Sequence, residues 1–173
     1  MKEYLFEDGQ PVDIKKLEAD LLPHTVYEKS HAGLVQFCHD ILVEYNGGIL
    51  LVKRTKKPAT DILWSLGGRV RRGMSTQDSA ILKVKEESNL EVVEITFIDF
   101  ARTFFQTDPF EHGRGTDTVN ALYFAKASGK LQLDNLHTTP IFIAKNDYTE
   151  AFRSKLHPYM RDFMDKVIPK LNS

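Results

Sequence analysis

Residues 64–90, WSLGGRVRRGMSTQDSAILKVKEESNL, decide how the chain reads. A short apolar run ends at Gly67-Gly68, a pair that lets the backbone approach a ligand closely. Ser75 with Asp78 three residues on resembles a capping box, so a helix starts there. Ala80, Ile81 and Val84 give it an apolar stripe, and Asn89 suits a left-handed end. Glu86 and Glu87 ride on that helix. Carboxylates beside a glycine loop can hold Mg²⁺, which takes one or two carboxylates together with water and substrate phosphates. Glycine loop, cations and helical carboxylates thus fall within one short segment.

Working outward, LVQFCHDILVEY (34–45) reads as a strand, Asn46-Gly47-Gly48 as a turn, and ILLVKR (49–54) as the return strand. KKPATD is a loop and LWSL a short strand, with Gly67-Gly68 breaking the pattern. Strands follow at 91–106 and 118–127 around a mobile polar loop, DPFEHGRGTD, and another at 140–144. Asp13 caps a short helix, IKKLEADLL, ahead of Pro23. Thr149 caps a C-terminal helix running to about Ile168, broken or kinked at Pro158. The chain reads as one α+β domain spanning 1–173. Residues 1–30 form a helical extension, 34–145 the core and 149–170 the last helix.

A net charge of −1, from 23 Lys and Arg against 24 Asp and Glu, argues against a nucleic-acid scaffold or an anionic-membrane binder. No apolar run is long enough to span a bilayer, and MKEYLFEDGQPVD lacks the apolar stretch of a signal peptide. Cys38 is the single cysteine, so it reads as a small buried hydrophobe in a reducing, cytoplasmic setting. Against that neutral background, Lys53, Arg54, Lys56, Lys57, Arg69, Arg71 and Arg72 crowd into twenty residues opposed only by Asp61. Such a field suits a phosphorylated ligand. Trp64 reads as core rather than as a stacking surface.

The 64–90 stretch resembles a Nudix box. Laid on that pattern from Gly68, Glu86 and Glu87 match the Glu-Glu pair, and Val84 and Leu90 match apolar positions. Met74, Leu82, Lys83 and Asn89 replace the pattern's Glu, Arg, Glu and Gly, so the box is degenerate. HDILVEYNGGILLVKRTKKPATDILWSLGGRV (39–70) is similar to the start of the GDP-mannose mannosyl hydrolases, a Nudix subfamily. GRGTDTVNALYFA (113–125) and LQLDNLHTTPIF (131–142) resemble later segments of the same subfamily.

The resemblance implies a Nudix fold, a mixed β-sheet sandwiched between helices. It implies Mg²⁺- or Mn²⁺-assisted hydrolysis of a nucleoside diphosphate sugar, with water displacing the nucleotide from the sugar carbon. Carried over by position, Arg54 and Arg69 would meet the diphosphate, where a guanidinium can bind bidentately, with Lys53 beside them. Glu87 and the Gly67 carbonyl, with Glu86, would hold the metal. His137 would be the base, and Asp40 would lie near the sugar or its leaving group. A homodimer is among the assemblies the resemblance allows. The subfamily's further metal-ligand Gln falls at Leu136, which cannot ligate. Lys83 precedes Glu87 by one helical turn and would set an ammonium where a cation should bind. Weak metal binding is therefore expected. Two other readings stay open: a Nudix hydrolase attacking phosphorus, and a catalytically impaired module that binds a nucleotide.

Overall fold

Strand alternation and one parallel pairing organise the molecule. The computed structural model describes residues 1–171; the last two positions of the expected domain lie outside the described residues. In chain order it comprises β1 (Phe6–Glu7), β2 (Gln10–Pro11), α1 (His24–Gly33), β3 (Gln36–Tyr45), β4 (Gly48–Arg54), β5 (Leu63–Trp64) and β6 (Leu66–Arg69). Then come α2 (Thr76–Ser88), β7 (Glu91–Phe105), β8 (Thr116–Ser128), β9 (His137–Ile143), α3 (Glu150–Arg153) and α4 (Pro158–Val167). The main sheet runs β5-β4-β3-β8-β7, with β6 paired to β3 and β9 to β4. Among these strands, β3 and β8 pair in parallel and the other pairs are antiparallel, so the sheet is mixed.

Because strand side chains alternate, β3 sends Ile41 and Val43 to one face and Leu42 to the other. The first face packs on Ala80 and Val84 of α2. The second packs on Met160, Phe163, Met164 and Val167 of α4. The sheet is thus held between helices, as expected.

Local signals in the sequence act as read. Ser75 Oγ accepts the Asp78 N–H, and Asn89 ends α2 at φ 58°. Asn46 and Gly47 both take positive φ in the β3–β4 turn, the backbone that fits a tight right-twisted hairpin. Thr149 caps α3, and the break before Pro158 separates α3 from α4.

Elsewhere the structure departs from expectation. The helix expected over 14–22 is a single 3-10 turn, Ile14–Leu17, capped by Asp13. Helix α1, unforeseen, follows it. Gly67 and Gly68 do not break a strand but form the middle of β6. Strand β9 begins at His137, not at Pro140. The polar loop expected to be mobile is tied to the Asp108 carboxylate, which accepts N–H bonds from Phe110, His112 and Gly113.

Fully buried His39 on β3 links sheet and helix, with Nε2 2.9 Å from Ser79 Oγ. Burial pushes its pKa down to about 4 from 6.5. Between those values the unfolded chain binds a proton that the folded chain refuses. The stability His39 contributes is complete above pH 6.5 and is lost as pH falls towards 4, about 3 kcal/mol by linkage. His39→Gln is expected to flatten this acid limb. Urea unfolding at pH 7 and 4.5 checks it, and an unchanged pH dependence in the variant would count against the assignment.

Candidate active site

The position of the site follows from a change of neighbour along β3. Over Val43–Tyr45 its antiparallel partner is β4; over Cys38–Ile41 it is β6. Strand β4 meanwhile continues against β9, which sets Arg54 opposite His137. The diverging strands leave a cavity of about 320 Å³, with Asp40, Arg54, Gly67, Arg69, Glu87 and His137 among its lining residues. These expected site residues, scattered through the sequence, share one space.

Gly67 holds the floor together. Its N–H donates to Glu87 Oε2 at 2.9 Å. A Cβ there would lie 2.4 Å from the His39 carbonyl oxygen and 2.5 Å from Asp40 Oδ1. The close approach at this glycine is to strand β3 and the Asp40 carboxylate, and not to a ligand as the sequence reading had it. Asp40 is buried and accepts a hydrogen bond from the Tyr159 hydroxyl of α4. Burial raises its pKa above the usual carboxylate range. Trp64 is 4% exposed and stacks on Tyr159 at 5.1 Å, so it is core, as read, while also closing one cavity wall.

The cations divide. Among the described residues, neither Arg54 nor Arg69 forms an ion pair or side-chain hydrogen bond, and both face the cavity. Arg69 lies over the Tyr27 ring, with Cζ 3.4 Å from the ring centroid. That contact holds the guanidinium without using its N–H donors. Lys53, expected beside the phosphates, is not among the lining residues. Helix α1 adds Tyr27 and His31 to the wall. His31 Nδ1 stands 2.8 Å from His112 Nε2 of the loop after β7, so α1 and that loop close one side together. Sequence reading missed this wall.

The two adjacent glutamates on α2 have opposite surroundings. Glu86, expected as a metal ligand, is exposed and pairs instead with Arg71 and with Lys83, the latter at 2.9 Å. It does not line the cavity. Glu87 is 6% exposed, and burial pushes its pKa up to about 8. Lys83 Nζ stands 3.9 Å from Glu87 Oε1. A cation site built from α2 carboxylates alone therefore does not fit, because an ammonium occupies the second position.

Another donor group does fit. Glu87, Asp134 and His137 each offer a ligand atom within 4.8 Å of the others. The Asp134 N–H donates to the Glu87 carbonyl at 3.1 Å, which fixes this turn against the end of α2. Asp134 was not singled out in the sequence. A lone Asp in LQLDNLH carries no signal until the turn meets a helix end 47 positions earlier.

The NUDIX domain family model matches residues 40–167. Among solved structures, a MutT NUDIX hydrolase from Burkholderia pseudomallei is similar at TM-score 0.61 and 18% identity, over 78% of this chain and 98% of that one. The NUDIX domain of Shewanella oneidensis NrtR, complexed with ADP ribose, is similar at TM-score 0.60 and 12% identity, over 87% and 100%. A bifunctional NMN adenylyltransferase/ADP ribose pyrophosphatase from Francisella tularensis, complexed with AMP and a Mn ion, gives 0.58 and 13%, over 86% and 45%. At these identities the likeness is one of fold. No curated protein matches the chain.

Proposed function

The chain belongs to the NUDIX domain family, and from that premise we propose that it hydrolyses a nucleoside diphosphate sugar or a related nucleoside diphosphate compound, assisted by a divalent cation. One observation carries this reading. Among the described residues, Arg54 and Arg69 have no carboxylate partners and face a single cavity that buried Glu87 and Asp40 also line. Two guanidiniums with free N–H donors suit a diphosphate, whose negative charge grows as it leaves.

In the first reading, water attacks the anomeric carbon and the carbon–oxygen bond to the diphosphate breaks. Arg54 and Arg69 take up the charge on the departing oxygen. Asp40, buried and lining the same cavity, accepts a proton from the attacking water. The Tyr159 hydrogen bond holds the Asp40 carboxylate in place for this role. On α2, Glu87 is the residue that fits a divalent cation, and such a cation would supply further positive charge to the diphosphate.

Attack at phosphorus is the second reading, which the family premise equally allows. A panel of sugar nucleotides, incubated with Mg²⁺ or Mn²⁺ in water enriched in heavy oxygen, separates the two. Label on free sugar is the expected product. Label on phosphate moves the attack to phosphorus. Binding without turnover of any nucleoside diphosphate compound would defeat the hydrolase reading and leave a nucleotide-binding module, the role that Lys83 beside Glu87 favours.

A further inference from the structure

The group formed by Glu87, Asp134 and His137 combines an imidazole with carboxylates. His137 Nδ1 lies 2.8 Å from Asp134 Oδ1, and its Nε2 lies 3.9 Å from Glu87 Oε2. With Nδ1–H donated to the carboxylate, the lone pair sits on Nε2 and points towards Glu87. Glu87 itself is under-partnered for a buried carboxylate. Oε2 accepts one N–H, from Gly67, and Oε1 accepts no hydrogen bond among the described residues. The Lys83 ammonium, 3.9 Å from Oε1, is at ion-pair and not hydrogen-bond distance, so this buried carboxylate keeps an oxygen open to a further cation.

We propose that His137 Nε2 and Glu87 Oε2 are ligands of one divalent cation, and that Asp134 is the positioning residue behind His137. Two atoms 3.9 Å apart can both reach a cation at bond lengths of about 2.1 Å. A ligating histidine usually gives its other N–H to a carboxylate, which fixes the tautomer and turns the ring; Asp134 supplies that carboxylate. The backbone bond from Asp134 to Glu87 holds donor and partner in register. His137 is thereby assigned to the cation rather than to proton abstraction.

The donor set also selects the ion. Mg²⁺ prefers oxygen and keeps its waters, whereas Mn²⁺, though the weakest of the first-row series at nitrogen sites, still takes an imidazole ligand. This site, part of the hydrolase reading of the cavity, therefore binds Mn²⁺ more tightly than Mg²⁺, by an expected factor of about ten or more.

Mn²⁺ added to the full chain tests this without substrate. Loss of the free-ion electron paramagnetic resonance signal gives affinity, and pulsed spectra of the bound ion report nitrogen coupling from a ligated imidazole. Nitrogen coupling that disappears in His137→Ala, with affinity down about tenfold or more, is expected. Asp134→Asn should keep the coupling and weaken Mn²⁺ binding about tenfold, with unfolding by heat unchanged in the absence of metal. His137→Gln repeats the test if the alanine variant fails to fold. Bound Mn²⁺ without nitrogen coupling, equal affinity for Mg²⁺, or no binding would each overturn the proposal. Nitrogen-coupled Mn²⁺ in a protein that turns over no nucleotide would uphold the metal site and remove the hydrolase.

Discussion

Gly67→Ala is expected to lower kcat/KM by about a hundredfold or more, since displacements of about 1 Å at a reacting centre have that effect. The added methyl would sit 2.4 Å from the His39 carbonyl oxygen and 2.5 Å from Asp40 Oδ1. Neither can yield freely: one belongs to the central strand, and the other is held by Tyr159. Strand β6 must move away, carrying with it the N–H that holds Glu87. Overpacking of this kind destabilises by about 3 kcal/mol. Gly68→Ala is the control, because its methyl meets only the flexible Lys83 stem at 3.4 Å. Steady-state kinetics and urea unfolding on both variants check the claim. Similar behaviour of the two would remove the special role given to Gly67.

Arg54→Ala is expected to reduce kcat/KM about a thousandfold, the upper range for removing one preorganised donor to a developing negative charge. The side chain faces the cavity and bonds to no carboxylate among the described residues, so its loss should leave unfolding by urea nearly unchanged. Arg54→Lys should restore little, since a single ammonium cannot bind two phosphate oxygens in a fixed fork. Kinetics on the nucleoside diphosphate sugar turned over best by the native protein would decide it. Activity in Arg54→Ala within a few-fold of native would refute the diphosphate role.

What was legible in the sequence was mostly local. The caps at Ser75 and Asn89 and the Asn46-Gly47 turn act within a few residues, so their reading needs no tertiary context. The apolar run of 34–45 likewise marked a strand, while the split of Ile41 and Val43 from Leu42 between two faces came only with the packing. Helix α1 was missed because HTVYEKSHAG has no apolar stripe, and His31 is its only buried residue. Gly67-Gly68 misled because glycine in a strand can mark close backbone approach as well as a break. At the site, the sequence offered Glu86 as a further ligand beside Glu87. Adjacent helical positions point about 100° apart, so one meets Arg71 and Lys83 and the other the cavity. Asp134 needed the tertiary contact itself.

The wall built by α1 carries a consequence for how such a protein can change. The family's matched residues begin at 40, yet Tyr27 and His31 line the same cavity as Arg54 and Glu87. Arg54 and Glu87 sit on the sheet and α2, while Tyr27 of α1 holds the Arg69 guanidinium and His31 extends the wall. Substitutions over 24–33 can therefore reshape which molecule is admitted without repacking either face of the sheet. Because Tyr27 belongs to that helix, a change there alters the wall and the seating of Arg69 together.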